Sequence, residues 1–145
     1  MRYVRALDSK NIVDWAACFA TEAGYSCRSQ ENVSQGLPMA LILDDTRARI
    51  NDRVKFVAEV WAGTFEDYST RHVVQTTLRE QRTPELWVAE SNFIVTYTTA
   101  DGDSQLLATG VYEDEIVLES GRLVFKSRNA ILDTTYPPRY VVYPI

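Results

Sequence analysis

The sequence predicts an α+β domain in which helices near the amino end cover one face of a long, curved antiparallel sheet. Two patterns lead to this fold class. Apolar residues recur at helical spacing within the first 61 residues, and strand-like runs joined by short turns fill most of residues 71–132. A third observation is Gly110, which interrupts a predicted strand and marks a bend or bulge there. A sheet bent in this way encloses a cone.

Two amphipathic helices are predicted in the first half of the chain. The first is capped by Asp8 or Ser9 and ends at Ala23-Gly24. Its apolar stripe consists of Ile12, Trp15, Ala16 and Phe19. The second covers residues 46–61 and has the carboxylates of Asp44-Asp45 at its amino end. Its apolar face consists of Ile50, Val54, Val57, Ala58 and Trp61. This periodicity predicts that each helix buries one side.

The remaining segments are predicted to be extended or irregular. Residues 25–28 and 38–43 are interpreted as short strands, and the polar residues 29–36 between them as a surface loop. Later strands are predicted over residues 71–78, 86–97, 105–117 and 122–132. The last three are long and joined by short turns, which predicts an antiparallel meander. Since no linker interrupts the chain, we expect a single domain over residues 1–145, with an extended tail at 136–145.

The composition of the chain restricts the kinds of partner that this domain is expected to bind. Its 145 residues carry a net charge of −5, and the pI is about 4.9. We therefore expect neither nucleic acid nor an anionic membrane as the main partner. One basic cluster is interpreted as a solvated helix face: Arg47, Arg49, Arg53 and Lys55. Without a signal-peptide core or an apolar run of about 18 residues, the chain is expected to be cytoplasmic.

Soft-metal ligands are scarce in this sequence. His72 is its one histidine, and Cys18 and Cys27 are its two cysteines. A structural zinc takes four Cys or His ligands, a catalytic zinc usually three protein ligands, and a Rieske cluster two cysteines and two histidines. Chemistry is therefore expected to be metal-free or to reside on a partner chain. Both cysteines are interpreted as reduced thiols in the core rather than as a disulfide.

Two side chains are candidates for acid/base work. His72 is a possible general base with Asp8, Asp14 or Asp114, although a lone histidine more often hydrogen-bonds structurally or contacts a neighbouring subunit. Asp114 belongs to the acidic run 113–115, which is interpreted as a solvated edge. Strand alternation also separates Arg71 from His72. No G-x-S-x-G motif or phosphate-binding glycine signature is present, which leaves no recognised cofactor motif.

The tail is rich in aromatic residues and prolines, which keep it extended and out of a central strand position. Tyrosine and arginine are enriched at protein interfaces, whereas packing over the core of the same chain is an equally good interpretation. The candidate interface residues of the tail and helix are Trp61, Tyr136, Arg139, Tyr140 and Tyr143.

Short motifs in a shared order support a family assignment. The front half contains Leu7-Asp8, Trp15, Tyr25, Leu43-Asp44-Asp45 and Asp52-Arg53-Val54. The back half contains Ser69-Thr70-Arg71-His72-Val73-Val74, Ser91-Asn92-Phe93, Gly110-Val111-Tyr112-Glu113-Asp114, Arg128 and Leu132-Asp133. From about residue 7 to residue 145, the chain resembles the small (β) subunits of aromatic-ring-hydroxylating dioxygenases.

The resemblance implies an NTF2-like cone, the fold shared by ketosteroid isomerases, scytalone dehydratases and small polyketide cyclases. It implies a non-catalytic subunit without metal. The partner large (α) subunit would carry a [2Fe–2S] Rieske cluster and a mononuclear Fe(II), commonly in an α3β3 hexamer. Arg71 and His72 become candidate interface residues, and a benzoate-like substrate is expected. The chain departs from the family in having only residues 1–6 before Leu7-Asp8, and Thr76-Thr77 where an asparagine-valine pair is common.

Two other functions remain open on the sequence. One is a free-standing cone enzyme, an isomerase, dehydratase or cyclase, that uses His72 and a cavity carboxylate such as Asp114. This alternative rests on fold analogy. It requires both groups to line one enclosed pocket. The other is a binding module with a large apolar cavity and without convergent polar groups.

Overall fold

The computed structural model describes residues 2–64 and 67–145. Its helices are α1 (Arg2–Asp8), α2 (Ile12–Ala16), α3 (Gln30–Ser34) and α4 (Arg47–Phe56), the last of which continues as a π-helical turn over Val57–Trp61. Its strands are β1 (Phe19–Ser29), β2 (Ile42–Asp44), β3 (Ser69–Thr83), β4 (Leu86–Thr98), β5 (Ser104–Glu119) and β6 (Arg122–Leu132). They form one sheet in the order β2-β1-β6-β5-β4-β3, so the predicted α+β class is confirmed.

The meander of β3 to β6 agrees with the predicted strands. Each neighbouring pair is antiparallel, and β3 and β4 are joined through the turn after Thr83. Alternation along β4 places Phe93, Val95 and Tyr97 in the core, while Ile94 faces outward. The meander therefore has one buried and one exposed face.

The first predicted helix is wrong in extent, because its second half is strand. Its predicted cap is also wrong, since Asn11 caps α2 and Asp8 ends α1. α2 ends at Ala16, and Phe19 begins β1, which pairs in parallel with β6 through Tyr25↔Arg128. Up to Phe19, the apolar stripe is compatible with a helix and with the observed structure. Aromatic residues such as Phe19 and Tyr25 favour strands. Pairing of β1 with a strand about 100 residues later overrides the local helical pattern. The predicted short strand at 25–28 is the carboxyl-terminal part of β1.

The segment between β1 and α4 also differs in detail. Part of the predicted loop is the helix α3, which Ser29 caps by accepting a hydrogen bond from the Asn32 N–H at 3.2 Å. The strand predicted at 38–43 is shorter and later, since β2 covers only Ile42–Asp44. The second predicted helix is confirmed in position: Thr46 caps α4, and Ile50 and Val57 are buried against the sheet. Ala58, predicted on the same apolar face, is exposed on the π-helical turn.

Gly110 lies where neighbouring strands approach each other closely, and not at a bulge. An added Cβ would collide with the carbonyl oxygen of Ile131 and would lie 2.8 Å from Cζ of Phe93. The register of β5 shifts elsewhere, opposite Val95/Thr96 and between Glu115 and Ile116. Of the bend or bulge predicted at Gly110, the bulge is therefore wrong in position, and the bend stays a prediction.

Aromatic side chains dominate the core. Tyr3, Trp15, Phe19, Tyr25, Phe93 and Tyr112 are each no more than 5% exposed. Several pack edge to face, for example Trp15 and Tyr25 with ring centroids 5.6 Å apart. Cys18 and Cys27 are buried free thiols, as predicted. Across the described ranges, every helix is too short or too polar to span a bilayer.

Candidate functional site

His72, which is buried, and Asp8, which is partly exposed, form a pair at the junction of α1 and β3. His72 lies near the start of β3, and its ring is 0% exposed. Its Nδ1 lies 2.6 Å from Oδ1 of Asp8, and its main-chain N–H donates to Oδ2 of the same carboxylate at 3.2 Å. Because an ionised carboxylate only accepts hydrogen bonds, Nδ1 is the donor. Asp8, the last residue of α1, thereby fastens that helix to the strand.

The neighbouring Arg71 joins the same junction from the other face of β3. Its side chain is exposed, as strand alternation predicts, but its Nη1 donates to the main-chain oxygen of Asp8 at 3.1 Å. Arg71 and His72 therefore both contact Asp8, although their side chains leave β3 on opposite faces. Since the ring of His72 is enclosed by its own chain, Arg71 is the accessible member of this predicted interface pair.

Asp114 is engaged by Arg128 and not by His72. Nε and Nη2 of Arg128 donate to the two carboxylate oxygens at 2.8 and 2.7 Å, and both side chains are at most 3% exposed. The solvated-edge interpretation is wrong for Asp114, because β5 turns this side chain inward between exposed Glu113 and half-buried Glu115. The alternative pairing of His72 with Asp114 is likewise not formed: each binds a different partner.

Three aromatic rings surround the guanidinium of Arg128. Its Cζ lies 4.2, 4.0 and 4.0 Å from the ring centroids of Tyr3, Tyr112 and Phe125. Burial alone lowers the pKa of Arg128, but the hydrogen bonds and charge of Asp114 outweigh it and raise the pKa. Burial also raises the pKa of Tyr3 and Tyr112. The pair is therefore a fixed charge in an aromatic box, not a proton-exchanging site.

Several buried polar atoms lack a hydrogen-bond partner within the described residues. Within residues 2–64 and 67–145, no partner is found for Nε1 of Trp15, Nε2 of His72, Oη of Tyr112 and Nη1 of Arg128. Trp15 and Tyr112 are 0% exposed. Native interiors pair most such atoms, and Trp15 and Arg128 lie near enough to the hydroxyl of Tyr3 to lower its pKa by hydrogen bonding, against the larger effect of burial, which raises it.

Part of the predicted basic cluster is structural. Arg53 donates through Nε to Asp44 at 2.9 Å, and Arg47 donates to the main-chain oxygens of Ala16 and Phe19. The solvated-face interpretation is wrong for these two arginines, because each joins α4 to a neighbouring segment. Arg49 and Lys55 are exposed, as predicted.

The tail packs on the core at its end and is exposed before that. Tyr143 and Ile145 are buried, at 6% and 1% exposure. Tyr136 and Tyr140 are 89% and 72% exposed, although the main-chain oxygen of Tyr140 accepts from Oη of Tyr68 at 2.5 Å. Packing over the core is thus confirmed for the end of the tail, and the interface interpretation stays a prediction for Tyr136 and Tyr140. Trp61, also a candidate, is half-buried at the end of the π-helical turn, and Arg139 is exposed.

An exposed apolar patch on the outer face of the sheet was not anticipated. It consists of Val73 on β3, Ile94 on β4 and Leu106 on β5, which are 66%, 47% and 52% exposed. Val73 pairs directly with Ile94, and Leu106 pairs with Thr96 two residues further along β4. For Ile94, alternation with buried Phe93 and Val95 along β4 was a signal in the sequence. We call these three residues the outer patch.

The soft-metal ligands are dispersed over the fold. Cys18 precedes β1, Cys27 lies within it, and His72 is on the opposite edge strand β3. In the described part of the chain, no three His, Cys, Asp or Glu side chains gather in a way that could hold a metal ion.

Comparison with known proteins agrees with this architecture. A family model described as the ring hydroxylating beta subunit matches residues 2–138. The chain is 28% identical over 145 residues to the small subunit of anthranilate 1,2-dioxygenase from Burkholderia cepacia, covering 99% of this chain and 88% of that protein. It is 22% identical over 143 residues to the terminal oxygenase subunit beta 2 of terephthalate 1,2-dioxygenase from a Comamonas species, covering 99% and 92%.

Solved structures show the same fold. The β subunit of a candidate aromatic-ring-hydroxylating dioxygenase from Novosphingobium aromaticivorans superposes with a TM-score of 0.86 at 26% identity, covering 99% of this chain and 90% of that chain. The β subunit of benzoate 1,2-dioxygenase from Burkholderia mallei gives 0.74 at 20% identity, covering 97% and 91%. The NTF2-like fold implied by the resemblance is confirmed. With a family match over nearly its whole length, the chain belongs to the ring hydroxylating β subunit family.

Proposed function

We propose that this chain is the non-catalytic small (β) subunit of the terminal oxygenase of an aromatic-ring-hydroxylating dioxygenase. The family match over residues 2–138 carries the proposal. The interior supports it, because the candidate acid/base groups are held in fixed pairs, His72 with Asp8 and Asp114 with Arg128. Side chains bound in this way position strands and helices, and the hydroxylation chemistry belongs to the partner.

We place the [2Fe–2S] Rieske cluster and the mononuclear Fe(II) on the large subunit. The donors of this chain do not fit either group. A Rieske cluster needs two cysteines and two histidines, while here one histidine and two cysteines lie on different parts of the sheet. His72 also commits Nδ1 to Asp8. No step of the reaction is therefore assigned to residues of this chain.

The partner is a large (α) subunit, and we propose an α3β3 hexamer. The surfaces that support association are the outer patch and the exposed residues Arg71, Tyr136, Arg139 and Tyr140. Apolar and aromatic side chains that monomers seldom leave exposed are typical of interfaces. Trp61 is included because its ring is only half-buried.

The substrate that we propose is a benzoate-like aromatic acid. The relatives named above are an anthranilate and a terephthalate dioxygenase, and both names denote substrates that are aromatic carboxylic acids. The β subunit of benzoate 1,2-dioxygenase shares the fold. We also place the subunit in the cytoplasm, where its two free, buried thiols fit a reducing compartment.

Co-expression with the large subunit of the same operon tests this function. We expect the two chains to co-purify at a 3:3 ratio, with all of the iron on the large subunit, and the complex to oxidise benzoate or a ring-substituted benzoate when supplied with electrons. The chain alone should hold no stoichiometric iron and turn over none of these acids. A chain that elutes as a free monomer beside a folded large subunit would contradict the proposal.

The free-standing enzyme remains a second candidate, in which His72 would be the base and Asp8, 2.6 Å away, its carboxylate partner. Such a pair can orient a histidine as a general base. Structural neighbours with this fold include a candidate scytalone dehydratase at 16% identity and a TM-score of 0.69, which supports the fold alone. His72→Gln in the assembled complex separates the two functions: unchanged turnover at unchanged assembly argues against catalysis by His72.

A further inference from the structure

A groove with a volume of about 820 Å³ lies beside β1, on the face of the sheet opposite the core. Tyr25 and Cys27 of β1 are buried in the core. Strand alternation therefore turns Ser26 and Arg28 to the other face, where both line the groove. The opposite wall comes from the chain between α3 and α4. We call this surface the β1 groove; its lining includes Glu22, Ser26, Arg28, Pro38, Leu43 and Asn129.

Arg28 is the cation of the β1 groove that lacks an acceptor. Its side chain is half-buried, and its enclosed Nε finds no hydrogen-bond partner within residues 2–64 and 67–145. The other two cations of the lining are engaged. Arg47 donates to two main-chain oxygens, and Nζ of Lys126 lies 3.4 Å from a carboxylate oxygen of Glu115. A buried donor without an acceptor is unfavourable, so Arg28 is suited to an acceptor from another molecule.

The surroundings of Arg28 combine a further donor with apolar surface. Oγ of Ser26 donates to Oδ1 of Asn129 at 2.7 Å, and this bond leaves the amide N–H groups of Asn129 as donors. Pro38 and Leu43 supply apolar walls, and Leu43 is 36% exposed. A carboxylate attached to an apolar body matches this end of the groove.

The other end of the β1 groove is acidic. Glu22 is exposed there, and Asp45 lies beside Gly24, where an added Cβ would be 3.2 Å from the main-chain oxygen of Asp45. The carboxylate of Asp45 lies 3.3 Å from Nη1 of Arg49, which leaves Glu22 as the exposed acid. Six residues separate Glu22 from Arg28 along β1, at most about 20 Å. The groove thus has a negative end and a positive end.

This shape and charge favour an extended polypeptide segment over a free anion. A path of at most about 20 Å accommodates roughly six or seven extended residues. The chain carries a net charge of −5, which repels small anions, whereas a carboxylate on a segment held by apolar contacts is brought to Arg28 by those contacts. Between Pro38 and Leu43, the same wall exposes Met39 and Leu41, at 64% and 47%. Exposed apolar side chains beside a charged groove are typical of a protein interface.

We propose that the β1 groove binds an extended segment of the large subunit, in which an aspartate or glutamate pairs with Arg28 and a lysine or arginine lies near Glu22. This inference rests on the proposed function, because it assigns a second contact surface for the same partner. The outer patch lies on β3, β4 and β5, whereas the β1 groove lies toward the β2 edge of the sheet. The two surfaces are therefore distinct.

Substitution of Arg28 tests the charge pair. Arg28→Gln should raise the dissociation constant of the complex with the large subunit about tenfold, and Arg28→Lys, which keeps the charge, less than about threefold. An increase in salt from about 50 to about 500 mM should weaken the unchanged chain more than Arg28→Gln, because salt screens the lost attraction. A purely structural role would leave this salt dependence unaltered.

Arg79→Gln is the matched control, since it removes the same charge from an exposed position on β3, the opposite edge strand. Titration calorimetry with the large subunit measures all four chains. An equal effect of Arg28→Gln and Arg79→Gln, or equal salt dependence of Arg28→Gln and the unchanged chain, overturns the proposal.

Cross-linking decides the matter if Arg28→Gln loses its near-ultraviolet circular dichroism. The photoreactive residue p-benzoylphenylalanine at position 43, in an otherwise unchanged chain, should cross-link to a large-subunit peptide with an acidic residue near the linked position, as identified by mass spectrometry. The same probe at position 118, which is exposed near the β5–β6 turn, should not label that peptide. An assembled complex without a cross-link from position 43 overturns the groove alone. If the unchanged chain forms no complex at all, the groove and the proposed function both fail.

Discussion

Arg128 and Asp114 illustrate how single residues hold this fold. Their two hydrogen bonds, at 2.8 and 2.7 Å, use the fork of the guanidinium against both carboxylate oxygens. The three rings around Arg128 replace water on its faces. Loss of one partner is costly in such a setting, because the remaining charge stays buried without compensation.

We therefore expect Asp114→Ala to lower the free energy of unfolding by about 3–5 kcal/mol. Urea unfolding followed by circular dichroism measures the change. Glu113→Ala, one residue away but exposed, is the matched control and should change the free energy of unfolding by less than about 0.5 kcal/mol. Similar small effects for both substitutions would show that the buried ion pair contributes little.

The two cysteines give a prediction about pH and reactivity. Burial raises the pKa of Cys27 to about 12 and also raises that of Cys18. A thiol in the unfolded chain has a pKa of about 8.5, so the folded chain keeps its protons over a range where the unfolded chain loses them. Stability contributed by the thiols is complete below about pH 8.5 and is lost as pH rises toward 12. The buried tyrosines act in the same direction.

At pH 8, Cys27 should react with 5,5′-dithiobis(2-nitrobenzoate) roughly a thousandfold more slowly in the folded chain than in urea. Cys18→Ala isolates the reaction of Cys27 for this assay. The melting temperature should also fall between pH 9 and pH 11. Rapid modification of Cys27 in a chain with native circular dichroism would contradict the assigned burial.

At the scale of elements, the tail divides into two parts with different roles. Tyr143 is buried beside Tyr68, with ring centroids 6.1 Å apart, whereas Tyr136 and Tyr140 project into solvent. Removal of the whole segment 136–145 would therefore mix a loss of core packing with a loss of interface. Single substitutions separate the two.

Tyr143→Ala should destabilise the isolated chain by about 3 kcal/mol, because it leaves a large cavity in the core. Tyr136→Ala and Tyr140→Ala should leave its melting temperature unchanged and weaken the complex with the large subunit, since exposed tyrosines often dominate interface energies. Thermal melts of the chain and titration calorimetry with the large subunit measure the two effects. A reversed order, with Tyr136→Ala destabilising the isolated chain, would refute this division.

The elements also show which features of the fold could be predicted from the sequence and which could not. The long strands β4 to β6 and the helix α4 followed from periodicity, because each buries one regular face. Residue Asp114 was misjudged because its partner depends on register. Counting back from the Glu119–Arg122 turn pairs Asp114 with Ser127, and only the irregularity between Glu115 and Ile116 brings Arg128 opposite it. A one-residue bulge of this kind leaves no signal in local composition.

The contacts of the candidate site were difficult to predict for the same reason. Asp8 was one of three candidate partners of His72, beside Asp14 and Asp114, and only the fold selects it among the 20 acidic residues of the chain. The contacts of Ile145 with Tyr3 and Tyr25 could not be predicted, because they join residues more than 100 positions apart. Likewise β1 pairs with β6 only through tertiary structure, against a helical pattern. Contacts at large sequence separation are set by the whole fold and not by neighbouring residues.

At the scale of the whole molecule, the sheet presents its two faces to different environments. The inner face is filled by aromatic rings, the charge pair and the end of the tail. The outer face carries the outer patch of Val73, Ile94 and Leu106, which the chain itself does not cover. This arrangement is typical of a small subunit that acts through association: its interior is filled, and its exposed apolar residues lie on the outer face.

Ile94→Lys places a charge at the centre of the outer patch and should raise the dissociation constant of the complex with the large subunit at least tenfold. The melting temperature of the isolated chain should stay within about 2 °C, because residue 94 already faces solvent. Leu118→Lys is the matched control: Leu118 is 56% exposed but lies near the β5–β6 turn, away from the patch. Sedimentation velocity of the mixed chains measures both outcomes. If Leu118→Lys dissociates the complex as strongly as Ile94→Lys, the binding surface lies toward that turn instead, and the outer patch is not the interface.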